Sequence, residues 1–119
     1  MLASSHRRGM LAERRVALQY EQRGFVVLDR NWRCGVGELD IVSANSSTLA
    51  VIEVKWRQSS EFGGAAGAVG LVKQSQIKAA TELGLVRHPA WSQRDDLAVR
   101  FDVAAVTGGV IEVFEAAFE

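Results

Sequence analysis

Two acidic side chains and a lysine are the residues whose types and spacing could do chemistry in this sequence. Asp40 lies in one stretch that alternates with period two, and Glu53 and Lys55 lie in the next. The polar run 45–48 separates the two stretches, and this arrangement predicts a β-hairpin. If the turn is centred on that run, Asp40 faces Glu53, with their Cβ atoms about 5 Å apart.

Facing carboxylates repel each other unless a proton or a cation lies between them. The same register pairs Glu38 with Lys55, and strict alternation places Leu39 with Ile41 on the opposite face. Both faces also carry apolar residues, as in a sheet covered on both sides, where an unpaired carboxylate is costly. A solvated polar face is the alternative, and it fits such strands poorly. The pattern therefore favours a site for a hard divalent cation such as Mg²⁺.

Length and composition are those of an ordinary globular domain. The chain has 119 residues, of which 48% are hydrophobic and 24% charged, and we expect a single domain over 1–119. No apolar run approaches the roughly 20 residues of a membrane span, and no signal peptide is evident. The lone Cys34 cannot form an internal disulfide, which favours a reducing cytoplasm.

The formal net charge is zero, but the charges are segregated along the chain. Residues 1–33 carry seven arginines against three acids, whereas residues 34–119 carry seven basic and eleven acidic side chains. Eleven of the fourteen basic residues are arginine, which suits bidentate contacts to phosphate. A basic N-terminal segment beside an acidic pocket suits an anionic substrate. The alternative explanation of these charges is an arginine-rich helix that faces solvent.

A first helix is predicted over Gly9–Arg23, after a loose basic segment at 1–8. Its apolar stripe is predicted to contain Met10, Leu11, Ala17, Leu18 and Tyr20. Glu13 projects toward this mostly buried side, so it needs a partner. The metal pocket could supply that partner, or Glu13 could pair at the rim with a neighbour such as Arg14.

A second helix is predicted over Val69–Val86, with an apolar side formed by Val69, Val72, Ala79, Ala80, Leu83 and Val86. Gln76 lies inside that side, and Lys73 lies at its edge. A buried glutamine must be hydrogen-bonded, either toward the acidic pocket or to a neighbouring backbone group. Both residues are therefore candidates for the site.

Five strands are predicted, at 25–28, 36–44, 48–57, 100–106 and 110–114. The glycine-rich segment 58–68 reads as a connector or a flap over the site, and a phosphate cradle is less favoured because no P-loop ending follows it. Asp102 interrupts an apolar strand; a structural ion pair with Arg100 is the favoured prediction, and support of the acidic site is the alternative. His88 is predicted to be an exposed loop residue and not a ligand.

The order of elements, with Asp40 followed after twelve residues by Glu53-Val54-Lys55, resembles the PD-(D/E)XK nuclease superfamily. More narrowly, nearly the whole chain resembles the YraN-type family, which is related to archaeal Holliday-junction resolvases. The matching pieces are Ala12-Glu13 with Ala17, Asn31-Trp32-Arg33, Gly37-Glu38-Leu39-Asp40, Glu53-Val54-Lys55, Arg57, Phe62-Gly63, Ala68-Val69, Lys73-Gln74 and Arg100-Phe101-Asp102-Val103. Leu39 stands where the superfamily name places a proline, a position that its members keep loosely.

The resemblance implies an α/β fold, a restriction-endonuclease-like mixed sheet with an acidic central hairpin, flanked by helices. It implies Asp40 and Glu53 as ligands of Mg²⁺ or Mn²⁺. Lys55 would position the attacking water or help to deprotonate it. Glu13 would be an additional acid near the metal, and either Lys73 or Gln76 would reach the site from the second helix.

The function that follows from this resemblance is a metal-dependent endonuclease acting on DNA, including branched or otherwise structured DNA. The alternative is a nucleic-acid-binding or scaffolding module that keeps the fold with little or no turnover, which the neutral net charge favours. Related resolvases work as dimers, so a homodimer is a further expectation. Phe114 and Phe118 could form its interface, although burial in the core explains them equally well.

Overall fold

The computed structural model describes residues 5–57, 69–92 and 96–119. Its elements are α1 (Ser5–Gln22), β1 (Val26–Cys34), β2 (Gly37–Ala44), β3 (Thr48–Arg57), α2 (Leu71–Arg87), a 3₁₀ turn (Pro89–Ser92), β4 (Ala98–Thr107) and β5 (Val110–Phe118). The strands form one mixed sheet in chain order, in which β3 and β4 are parallel and all other neighbours antiparallel. The predicted α/β architecture is confirmed. Within the described ranges, neither helix is long and apolar enough to cross a membrane.

The β2–β3 hairpin has the predicted register. Ile41 pairs with Ile52, and Ala44 pairs with Leu49, as expected for a turn centred on residues 45–48. Asn45 closes this turn, because its backbone N–H donates to Thr48 O at 3.0 Å and its side-chain oxygen accepts from the Thr48 N–H at 2.9 Å. On its other side, β3 pairs with β4 along its whole length.

The two helices cover opposite faces of the sheet. The α1 face buries a cluster of Ala12, Val16, Ala17, Tyr20, Ile41, Ala50, Ile52, Ala104 and Val106. The α2 face buries a cluster of Leu39, Val42, Leu49, Val51, Val69, Ile77, Ala80, Trp91 and Val103. We call these the α1 cluster and the α2 cluster. Each helix therefore carries its side chains toward the central hairpin from one side.

The sequence predicted α1 incompletely. The helix begins at Ser5, so residues 5–8 are helical and not loose, while residues 1–4 lie outside the described part. Met10, Leu11 and Leu18, which were predicted in the buried stripe, are exposed. Ala12 and Val16 occupy the buried side instead, because this is the side on which α1 meets the sheet.

The rotational phase predicted for α2 was wrong. Val72 and Val86 are 74% and 81% exposed, and the buried side is formed by Ile77, Ala80, Thr81 and Gly84. Gly84 sets this phase, since a Cβ there would stand 2.0 Å from Cζ3 of Trp91. The buried Trp91 ring in turn stacks on His88, which is half-buried and not exposed as predicted.

Strand β1 is longer than the predicted 25–28 and continues through the polar residues up to Cys34. It lies at an edge of the sheet, where polar side chains face solvent at no cost. Asn31 interrupts it with a left-handed backbone (φ 52°), opposite the Asp40 region of β2. Around that point Leu39 joins the α2 cluster while Ile41 joins the α1 cluster, so the predicted strict alternation was wrong at Asp40.

A buried network around Asp102 confirms the predicted structural ion pair. Arg100 donates two hydrogen bonds to the Asp102 carboxylate, each at 2.9 Å. The Tyr20 hydroxyl donates at 2.7 Å and the Ala116 N–H at 3.0 Å to the same group. Burial, and then the hydrogen bond to Asp102, raise the pKa of Tyr20 far above its ordinary value. The network ties α1 to β4 and β5.

Candidate metal and catalytic site

Asp40 lies where the ladder between β2 and β3 stops. The last hydrogen-bonded partners are Ile41 and Ile52, and beyond them the Val54 N–H donates to Asp40 Oδ2 at 2.9 Å. A backbone donor of β3 is therefore satisfied by a side chain of β2, and the two strands part at this point. The Asp40 carboxylate is held in the opening between them.

Glu53 comes next on β3 after the last pair, on the face of the sheet that α2 covers. Its side chain is only 6% exposed. Lys55 Nζ lies 3.4 Å from Glu53 Oε2, and Lys73 Nζ from α2 lies 3.7 Å from the same oxygen. Two lysines therefore compensate one buried carboxylate.

The pKa of Asp40 reflects the crowding of acids. Burial and then the negative charge of Glu53 raise it to about 8, against an ordinary value of 3.8, and the hydrogen bond from Val54 offsets only part of this rise. Glu13 adds a smaller repulsion. The site is thus short of positive charge next to Asp40.

Glu13 reaches the same region from α1. Burial raises its pKa, a hydrogen bond with the Asn31 side chain lowers it, and the charges of Glu38 and Glu53 raise it again. Glu13 Oε1 is buried and has no hydrogen-bond partner among the described residues. Of the two predicted alternatives, the structure places Glu13 at the acidic pocket.

Sequence reasoning named Asn31 only within the matching piece Asn31-Trp32-Arg33 and gave it no role in the site. Its side chain meets Glu13 because the left-handed backbone turns it out of the β1 ladder. Asparagine is one of the few residues that adopt this conformation readily, so an Asn within a strand-like run facing an acid was the available signal.

Glu13, Asn31 and Asp40 line one cleft of about 500 Å³ on the α1 side of the sheet, whereas Glu53 lies on the face that α2 covers. The walls of this cleft also include Arg33 and Glu38. The predicted contact of Glu38 with Lys55 was wrong, because β2 has left β3 before this position. Glu38 instead faces Arg33 of β1, with 3.7 Å between Arg33 Nε and Glu38 Oε1.

The two candidates on α2 are placed differently. Lys73 has its ammonium group against Glu53. Gln76 is exposed, contrary to the predicted burial, and its backbone carbonyl packs against β2 instead. A Cβ at Gly37 would lie 3.1 Å from that carbonyl oxygen, which explains the glycine just before the acids. The segment 58–68, predicted as a connector or flap, lies outside the described residues.

The donor set fits a hard divalent cation. In the described ranges no three His, Cys, Asp or Glu side chains form a ready cage for a metal. Mg²⁺ usually takes one or two carboxylates and fills its remaining positions with water and substrate phosphate, so a full cage is not required. Asp40 and Glu53 supply two carboxylates, and the unpartnered oxygen of Glu13 supplies a third acid close by.

The mixed sheet with a helix on each face is a restriction-endonuclease-like fold. The chain is similar to the solved structure of Hjc, a Holliday junction resolvase from the archaeal hyperthermophile Archaeoglobus fulgidus. The TM-score is 0.57 and the sequence identity 22%, covering 91% of this chain and 77% of that one. At this identity the likeness shows the fold, and it confirms the fold class that the sequence predicted.

Sequence relatives give the family. The profile of the uncharacterised protein family UPF0102 matches residues 12–106. A UPF0102 protein of Pseudomonas putida (strain GB-1) is 40% identical over 107 residues, covering 89% of this chain and 84% of the relative. One of Nitrosomonas europaea is 31% identical over 107 residues, covering 90% and 86%. The chain therefore belongs to the UPF0102 family, and the YraN-type resemblance is confirmed.

Proposed function

We propose that this protein is a divalent-metal-dependent endonuclease that hydrolyses phosphodiester bonds in DNA, with branched or otherwise structured DNA as its substrate. One observation carries the proposal. Asp40 is fixed by the Val54 N–H in the opening of the hairpin, next to the buried Glu53 and with a pKa raised to about 8. A fold has little reason to keep two such carboxylates together unless a cation joins them. The fold shared with a resolvase supports the same reading.

In the proposed site Asp40 and Glu53 hold Mg²⁺ or Mn²⁺, and Glu13 is an additional acid beside them. The bound ion would lower the pKa of a water molecule and offset negative charge on the phosphate oxygens. Asn31 keeps Glu13 turned toward the pocket through their hydrogen bond. The Val54 N–H orients the Asp40 carboxylate in the opening between β2 and β3.

Lys55 is assigned first to orienting the attacking water and stabilising charge on the phosphate, and second to removing a proton. Its ammonium nitrogen lies 3.4 Å from Glu53 Oε2, beside the carboxylates that would hold the ion. Lys73 brings a second positive charge to the same carboxylate from α2. Gln76 is proposed as a contributor through contact with the substrate, since its side chain faces solvent.

The test is a cleavage assay on linear, flapped and four-way-junction DNA with Mg²⁺ or Mn²⁺. Asp40→Asn, Glu53→Gln and Lys55→Met should each lower the cleavage rate at least about a hundredfold, because each removes a charge that acts in the transition state. Glu112→Gln on β5 is the matched control, since it removes an exposed acid. Cleavage that survives all three site changes would refute the assignment.

The second candidate is a nucleic-acid-binding or scaffolding module without turnover. One observation favours it: Glu53 is already paired with both Lys55 and Lys73 and so has partners without a metal. Calorimetric titration with Mg²⁺ and Mn²⁺ separates the two candidates. The endonuclease should bind the ion and lose that binding in Asp40→Asn. An absence of binding, or binding unchanged in this variant, favours the module.

Three further expectations stay predictions alongside this proposal. The first is the single domain over 1–119, and the second is a cytoplasmic location. The third is a homodimer, for which β5 would be the interface because it lies at an edge of the sheet. Phe114 and Phe118 already pack against the α2 cluster, so a dimer would add to their burial.

A further inference from the structure

A second cavity, of about 370 Å³, lies between the first turns of α1 and the end of β3. Trp56 forms one side of it, Leu11 and Ala12 form an apolar wall, and Arg8 and Arg15 add two guanidinium groups. We call it the Trp56 cavity. None of the acidic residues proposed for catalysis lines it.

Trp56 follows Lys55 directly on β3 and lies on the other face of the sheet, where it packs with the α1 cluster. Its ring is half-buried, and the Arg8 guanidinium lies over it, 5.3 Å from the centroid. A flat ring that a planar cation can cover is also a surface on which another planar group can stack.

Arg15 fixes one wall of the cavity through hydrogen bonds to a neighbouring turn. Its two terminal nitrogens donate to the carbonyl oxygens of Gly108 and Gly109, at 2.7 and 3.0 Å. These bonds fix α1 to the turn between β4 and β5, so the residues on that side of the cavity are held in position. The Arg8 guanidinium lies over the ring, and no ion pair within the described residues holds it there, so it can leave the ring when a phosphate binds.

The chemistry of this cavity matches a nucleotide. An aromatic face and an apolar wall can bind a nucleobase, and arginines at the mouth can bind the phosphates on either side of it. Helix α1 carries four arginines against two glutamates, so a polyanion is favoured over a cationic or a neutral apolar ligand.

The position of the cavity relates it to the acidic cleft. Met10 and Glu13 line the cleft, whereas Arg8, Leu11 and Arg15 line the Trp56 cavity, which puts the two on opposite sides of α1. A helix with its side chains is about 10 Å across. That is about three nucleotides of a strand at roughly 3.4 Å each.

We infer that the Trp56 cavity binds one unstacked nucleobase of a DNA strand, a few nucleotides from the phosphate held at the acidic site. The base stacks on Trp56, and the displaced Arg8 pairs with a neighbouring phosphate. This inference rests on the proposed function and deepens it, because it names the feature of the substrate that is recognised. An unpaired base near the cut distinguishes flapped DNA from regular duplex.

The experiment measures binding in metal-free buffer by fluorescence anisotropy, with a labelled flapped DNA in which the junction fixes the register and an abasic site is moved one position at a time along the flap. Wild-type protein should bind at least about fivefold more weakly when the abasic site falls at one defined position, since stacking of one base is lost there. Trp56→Phe should keep this dependence and Trp56→Leu should lose it. Arg14→Gln removes an arginine that does not line the cavity, and should weaken all strands alike.

An equal affinity for every abasic strand would overturn the inference, and so would a positional dependence that survives in Trp56→Leu. The abasic scan uses unaltered protein, so it does not depend on the variants folding. Failure of the proposed nuclease activity gives a different result: no cleavage, with the abasic dependence intact. Cleavage without any abasic dependence would overturn the base-binding inference alone.

Discussion

The ionised carboxylate of Asp40 should reduce the stability of the metal-free fold. Its pKa is about 8 in the folded protein, because of burial and the charge of Glu53, against an ordinary value of 3.8. Between these two pH values the folded state keeps a proton that the unfolded state has released. The stability that comes from the protonated form is therefore complete below the ordinary pKa and is lost as the pH rises through about 8.

The size of the effect follows from the shift. A rise of about four pKa units corresponds to about 6 kcal/mol at about 1.4 kcal/mol per unit. Water entering the opening between β2 and β3, and movement of Lys55 and Lys73, will relieve part of this repulsion. We therefore expect Asp40→Asn to raise the free energy of unfolding by about 2 kcal/mol at pH 9 and by much less at pH 5. The asparagine oxygen can still accept the Val54 N–H.

Urea unfolding with a chelator present, at pH 5 and pH 9, measures this difference for wild type and Asp40→Asn. Adding Mg²⁺ at pH 9 should stabilise the wild type by mass action and leave the variant unchanged. Glu112→Gln is the control, since it removes an exposed acid of β5. A variant that is less stable than wild type at pH 9, or that has the same pH dependence, would refute the reasoning.

Two other predictions concern the framework that holds the site. Gly84→Ala should lower the free energy of unfolding by about 2 kcal/mol in spite of the better helix propensity of alanine, because the new Cβ would stand 2.0 Å from the Trp91 ring. Gly109→Ala, which meets nothing within 4 Å, should change it little, and equal effects in urea unfolding would contradict the packing argument. Tyr20→Phe should cost about 1.5–3 kcal/mol, because Asp102 loses a charge-assisted hydrogen bond of 2.7 Å while keeping those from Arg100. Thermal unfolding with no change beyond error would show that this hydroxyl is dispensable.

The central hairpin could be predicted because its determinants are local. A four-residue polar turn and a side-chain period of two fix the register, and the pairing of Ile41 with Ile52 follows. The approach of Asp40 to Glu53 was within reach of the same argument. The separation of the two strands beyond Ile41 could not be predicted. It depends on the Val54 N–H donating to a side-chain oxygen instead of a backbone carbonyl.

The parts that escaped prediction depend on contacts between elements distant in sequence. The phase of α2 is set by Trp91 filling the space over Gly84, and a glycine in a helix carries no apolar signal. The predicted first strand ends at residue 28 because the polar half of β1 has the composition of a loop, although it pairs with β2 up to Cys34. Asn31 lies in that polar half, so its position in the sheet could not be predicted either.

The uneven pairing of β3 separates the acidic site into two independently anchored halves. The positions of Glu53 and Lys55 are fixed by β4, which pairs with β3 along its whole length. The position of Asp40 depends on β2, which pairs with β3 only from Ile41 to Ala44. A deletion or insertion near Gly37 would therefore act on the part of β2 that pairs only with β1, and would leave Glu53 and Lys55 in position. Substitutions at the start of β2 can therefore change the acidic residue beside Glu53 without breaking the pairing of β3 with β4.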